Sequence, residues 1–466
     1  MHSPNTPTTG LTVALARFVS ELTLRDIPES ARAVARTGMA DCFAVMIAGS
    51  SEPLIDLMRR QFPAADNPTA TLFPSGDRRA VADAALINGV SAHILDYDDV
   101  TLDGHPSAVL LPAILAQAEA SGSSGAEMVT AYVAGYELWA ELVQREPTPL
   151  HEKGWHPTTV RGTLAAAAAA GRLRQLDAAR IANALGIAAS MAGGLVANFG
   201  TQTKAFQVGR AAQAGITAAS LAAAGMTAAI DAIEHAAGFL AAFSPNREAD
   251  TGNRPLRRET EQDWHIIRGG LNVKRYPMCY AVHRAVDATL ALTGSNQLRA
   301  NDIADVRVFT SDAQMLMLRN ARPQTPLEAK FSMPFAIASA VIAGNAGPEQ
   351  LTEAFVTSHD VQSFFAKVHC ETTTDRMEGS AFAPFDRVEI LTTGGVTLKS
   401  EPVSYAKGSY RNPLSRQEFW VKFADCLGGK IPREHQEALF DLFLNLEKAA
   451  GVAEIVALAT AGRGPR

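Results

Sequence analysis

The chain has 466 residues, enough for two or three domains at roughly 150 residues each. With 47% hydrophobic and 19% charged residues, its composition is that of a packed globular protein and excludes disorder. The 42 Lys plus Arg stand against 48 Asp plus Glu, a formal net charge of -6, which excludes a general field for nucleic acid but not a local basic patch.

The N-terminal MHSPNTPTTG is polar and lacks the apolar core of an export signal. The longest apolar stretches are Ala-rich and broken by Gly, Arg or Asp, so no membrane span is expected. Cys42, Cys279, Cys370 and Cys426 form no CxxC pair and read as free thiols of a reducing cytoplasm. Leu11, Leu15, Phe18 and Leu22 open a helical region on one face, and Pro28-Glu29-Ser30 opens the next helix. Helical patterning continues to about Ala242. It includes six alanines after Leu164 and small side chains from Ala211 to Ala224, the faces of a closely packed bundle.

Near Arg268-Gly269-Gly270 the character changes. Val306–Phe309 and Val388–Leu391 read as strands, and Thr-Thr-Gly-Gly leads from the latter into Val396–Leu398 as a hairpin. Helical segments are expected between them, at about 334–344 and 349–358. A helical tail returns from Ser415. The expectation is a mainly α protein: a large all-helical domain, 1–269 with 404–466, and an inserted smaller α+β domain, 270–403, with an antiparallel sheet.

Four constellations can carry chemistry. His93-Ile-Leu-Asp96-Tyr97-Asp98-Asp99, followed by Asp103-Gly-His105-Pro106, crowds carboxylates that repel one another. It reads as a turn and cap segment, as a Mg²⁺ or Mn²⁺ site, or as an acid–base pair without metal. His156 precedes Pro157 ahead of an Ala-rich helix, whose N-terminus would favour an anion. Lys204 enters an apolar, small-residue helix beside Thr203. There it either snorkels to water or binds a carboxylate. Lys274-Arg275-Tyr276-Pro277 puts two cations beside a Pro-fixed turn at the domain junction.

Together these segments resemble the MmgE/PrpD family. The resemblance rests on DCFAVMIAG, HILDYDD…HPSAVLLPAILA, GWHPT, GTQTK…GRAAQAG, KRYP…H, PLEAKFSMPFAIA and YAKGSYRNPLS. It implies a homodimer without a redox cofactor, a smaller domain acting as a lid, and a site in a cleft between domains; a cytoplasmic location and no metal are the accompanying expectations. It also implies Asp96, His105, His156 and Lys204 as catalytic residues, with Lys274, Thr203 and Tyr276 binding the substrate. The partner would be a small di- or tricarboxylate, with no nucleic acid and no membrane. The family's activities are 2-methylcitrate dehydration, cis-aconitate decarboxylation and iminodisuccinate epimerisation. All three make or quench a carbanion beside a carboxylate, where fixed cations and a histidine are suited to act.

The chain departs from the family pattern at Gln207, where many relatives have His, and at Ala205-Phe206. Its Asp96–His105 loop is one residue shorter than in the decarboxylase. The decarboxylase tyrosine matches Gln314 or Met315. Epimerisation needs only proton donors on opposite faces of one carbon, so the expected activity is an epimerase of the iminodisuccinate type. The dehydratase is the alternative, and the decarboxylase is the least expected.

Overall fold

The computed structural model describes residues 10–460 except 65, 253–255, 257 and 378–381; the polar segment before residue 10 lies outside the described residues. The chain forms two compact units. The first is drawn from the residues up to Ile94, from Asp98–Leu271 and from Gln417 onward. The second comprises Leu95–Tyr97 and Asn272–Arg416.

The first unit is built on helices α1 (Leu11–Glu21), α2 (Glu29–Gly49), α3 (Pro53–Gln61), α4 (Val81–His93), α5 (Pro106–Ser121), α6 (Gly125–Gln144), α7 (Pro157–Leu173), α8 (Ala178–Met191) and α9 (Gln202–Ala223). Several helix starts are written locally. Pro stands at the first position of α5 and α7, where its missing N–H costs nothing. Ser124 caps α6 reciprocally with Glu127. Ala165–Ala170 of α7 are fully buried. A Cβ on Gly89 of α4 would come within 2.8 Å of Gly209 Cα in α9, so hydrogen-only side chains set how closely these two helices approach. The unit is not purely helical: Ala70–Thr71 (β1) and Arg78–Arg79 (β2) pair as a short antiparallel ribbon.

In the second unit, α10 (His283–Asn296) and α11 (Met333–Ala343) accompany strands β3 (Ile303–Ser311), β4 (Val368–Thr373), β5 (Arg387–Thr392) and β6 (Thr397–Lys399), in sheet order β4-β3-β5-β6. Val306, Val308, Val388 and Ile390 point into an apolar core with Phe335 and Ile337. The β5–β6 hairpin forms as expected. The sheet, however, is mixed rather than antiparallel, because β3 and β4 run parallel with Val306 opposite Val368. A parallel pair needs a long crossover, and the helices between the strands supply it. The helix expected over 349–358 is broken. A 3₁₀ turn at Pro348–Gln350 ends at Leu351, and Thr352 caps a separate turn, Glu353–Val356.

From Gln417 the chain belongs to the first unit again, with α12 (Arg416–Leu427), α13 (Arg433–Leu444) and α14 (Val452–Thr460). Phe443 packs on Phe43 at 4.8 Å between ring centroids. Buried Lys422 pairs with buried Asp41 at 2.6 Å. The architecture is mainly α with a smaller α+β part, and no described helix is long and apolar enough to cross a membrane.

Candidate active site

Three helix starts of the first unit carry His105, His156 and Lys204. His105 occupies the N-cap position of α5 and His156 that of α7, each followed by Pro. Lys204 lies in the first turn of α9, which Thr201 caps. A cation there opposes the positive end of the helix dipole. Its 7% exposure shows that solvent is not the compensation.

The loop before His105 is held firmly. Thr101 and Gly104 exchange backbone hydrogen bonds of 2.9 and 2.8 Å, with Leu102 and Asp103 in the left-handed region. Trp139 Nε1 donates to the Leu102 carbonyl (3.1 Å), and buried Arg161 reaches Asp103 at 3.4 Å. A residue so anchored presents its side chain with little freedom.

His93, at the end of α4, completes the cluster. Its ring lies 4.5 Å from that of His105 and 6.4 Å from that of His156. Phe199 packs edge-on against His156 at 4.9 Å, and Lys204 Nζ sits 5.3 Å from the centre of the Phe199 ring. Gln207 holds the Phe199 loop by accepting from the Leu195 N–H (2.6 Å) and donating to its carbonyl (3.2 Å). The residue that departs from the family pattern thus has a positioning contact.

Asp98 sits between two imidazoles. His93 Nδ1 lies 2.9 Å from Asp98 Oδ1, and His105 Nδ1 lies 2.9 Å from Oδ2. Burial alone would raise the Asp98 carboxyl, but His93 and His105 outweigh it and hold the acid well below the carboxylate range. Burial, joined by the Lys204 and His105 charges and opposed by Asp98, lowers His93 to about 4. At neutral pH the arrangement is therefore a carboxylate with a neutral His93.

Asp99 is the opposite case. Burial, then the Asp41 and Asp98 charges, push its carboxyl well above the usual range, with Ser107 and Lys422 opposing. The environment thus drives the neighbouring Asp98 and Asp99 carboxyls in opposite directions.

In the second unit, Lys274 Nζ donates to the Asp96 carbonyl (2.8 Å) and lies 3.1 Å from Asp96 Oδ2. The lysine is 1% and the aspartate 4% exposed, so each charge is compensated by the other. Asp96 takes a left-handed conformation, φ 52°. Tyr276 is buried and its hydroxyl donates to Asp287 (2.7 Å). Thr203, in the first unit, is exposed, and its N–H bonds back to Thr201.

The structure thus brings together His105, His156 and Lys204 in one unit and Asp96 with Lys274 in the other. Sequence reasoning named His93 and Asp98 in one constellation but missed His93 as a site residue, the bridging part played by Asp98, and Phe199. The available signal was the His93–Asp98 spacing across a helix end. As for metal, His93, Asp98 and His105 offer imidazole nitrogens and a carboxylate close together, types a divalent cation accepts. Binding one through the Nδ1 atoms would require replacing both hydrogen bonds to Asp98.

Comparison with known proteins identifies the family. Residues 13–251 match the MmgE/PrpD N-terminal domain and residues 276–448 the MmgE/PrpD C-terminal domain. The chain is similar to cis-aconitate decarboxylase from Homo sapiens, 27% identical over 375 residues, covering 78% of this chain and 76% of that protein. The Mus musculus protein of that name is 27% identical over 376 residues, covering 78% and 75%. The Aspergillus terreus protein is 24% identical over 476 residues, covering 96% of each chain. None of these relatives is an epimerase, so the preference for that activity gains nothing from them. With both domain models matched over most of its length, the chain belongs to the MmgE/PrpD family and is an enzyme of that family.

Proposed function

We propose that the protein is a lyase acting on a small tricarboxylate of the cis-aconitate class, moving a proton at a carbon beside a carboxylate without a redox cofactor. The observation that carries this reading is the grouping of His93, Asp98, His105, His156 and Lys204 around three helix starts. The two histidines at helix starts, His105 and His156, are the candidates for proton transfer. Lys204 and the helix N-termini place fixed positive charge where an anionic substrate and its enediolate would be stabilised. Lys274 is assigned to carboxylate binding and Asp96 to holding that lysine. Thr203 and Tyr276 keep supporting roles beside the lysines, and a homodimer is the assembly this reading adopts.

Epimerisation of an iminodisuccinate-type dicarboxylate is the second reading, kept because the phenol expected of the decarboxylase has no counterpart at the matching positions. Gln314 is fully buried, accepting from Arg284 at 3.0 Å and donating to Asp386 at 3.1 Å, while its neighbour is Met315. Neither position supplies the phenol of the decarboxylase. Proton NMR in D₂O with cis-aconitate, 2-methylcitrate and iminodisuccinate separates the readings. Loss of CO₂ or water supports the lyase, whereas deuterium uptake without either supports the epimerase. Inertness toward all three would overturn both.

A further inference from the structure

We propose that Asp98 is the positioning residue of this site, fixing the Nδ1–H tautomer of both His93 and His105 so that each ring exchanges its proton only at Nε2. His93 in turn steadies His105 through the shared carboxylate. The kinetic half of this inference rests on the proposed function; the tautomer half stands without it.

The geometry leaves little choice of proton position. Asp98 is fully buried, and an ionised carboxylate can only accept hydrogen bonds. His93 Nδ1 faces both of its oxygens, at 2.9 and 3.1 Å. His105 Nδ1 faces Asp98 Oδ2 at 2.9 Å and the Asp99 carbonyl at 3.0 Å, and that carbonyl is a second group able only to accept. Both Nδ1 atoms must therefore carry a proton, and in the neutral ring that leaves the lone pair at Nε2. His93 Nε2 is buried with no hydrogen-bond partner among the described residues, and its side chain is 1% exposed against 12% for His105. His105 is thus the ring placed to reach a substrate. His93 stands behind it, sharing the carboxylate that orients it. A carboxylate that holds an imidazole in one tautomer is known to matter for turnover far more than for binding.

The test is ¹⁵N NMR of the full chain labelled at histidine, recorded at alkaline pH where the rings are neutral. His93 and His105 are assigned by the loss of their signals in His93→Gln and His105→Gln. Both rings are expected to show a protonated Nδ1 and an unprotonated Nε2. An Nε2–H tautomer on either ring of the wild type overturns the proposal, whether or not any variant folds. Asp98→Asn offers one acceptor and one donor, so one ring should switch tautomer. Its kcat should fall about 10²–10⁴-fold with KM little changed. Unchanged tautomers in that variant, or a loss confined to KM, would overturn the positioning role. The expected tautomers in a protein inert toward every polycarboxylate tested would uphold the tautomer assignment and sink the lyase reading instead.

Discussion

Asp98 and Asp99 are adjacent carboxyls shifted in opposite directions, and with His93 they make stability depend on pH in a signed way. Folded His93 titrates at about 4, against about 6.5 for an exposed imidazole. Between these values the unfolded chain binds a proton that the folded one does not. The His93 contribution to stability is therefore complete above about pH 6.5 and is lost as pH falls toward 4, by at most about 3 kcal/mol. His93→Gln should flatten the fall in Tm across that window; an unchanged slope would show that His93 is not the titrating group. For Asp99, raised in the folded state, the sign reverses. Its contribution is present at low pH and lost as pH rises, so Asp99→Asn should raise Tm near neutral pH. His156→Ala should cut kcat about 10²–10⁴-fold if that ring moves the proton. Lys204→Ala should cost both kcat and KM, and Lys204→Arg should restore KM better than kcat. At this scale the sequence was legible where chemistry is written locally, as in the two His-Pro pairs and the lysine opening α9. It named His93 but gave it no role, because the meeting of His93 with Asp98 depends on how the chain turns after α4.

Helix packing in the first unit rests on missing side chains. A Cβ on Gly209 of α9 would collide with the Leu86 carbonyl of α4, and one on Gly215 with Ala166 of α7. Gly209→Leu should therefore cost about 1–3 kcal/mol or more through overpacking. Because α4 ends in His93 and α9 begins near Lys204, activity should fall along with Tm, as thermal melts and steady-state kinetics on the same preparation would reveal. Full activity at a lowered Tm would mean that the spacing of the two helices does not set the site. Helices were the legible elements, since Ala runs, Pro starts and apolar spacing are local signals. The parallel β3–β4 pairing was not, because Val306 and Val368 are joined only through tertiary contacts, and strand direction leaves no mark on a short apolar run. The break at Leu351 was hidden because Thr352 reads equally well inside a helical stretch or as a new cap.

At the scale of the whole molecule, the first unit gathers its parts from distant stretches of chain. Lys422 lies 2.6 Å from Asp41, both buried, and breaking such a pair typically costs about 3–5 kcal/mol. Lys422→Met should lower Tm accordingly, and Asp41→Leu combined with it should recover much of the loss; a double variant no better than the single one would refute this account. The three-segment composition of this unit also bears on how the protein is made. Residues from Gln417 onward supply Phe443 against Phe43 and Lys430 Nζ to the Ala48 carbonyl. A ribosome delivers these contacts last, after the whole second unit has emerged. The nascent first unit must therefore wait, with the Phe43 face of α2 lacking its Phe443 partner, for the length of time needed to translate residues 272–416. During that interval the apolar surface that residues 417–460 later cover stays in water.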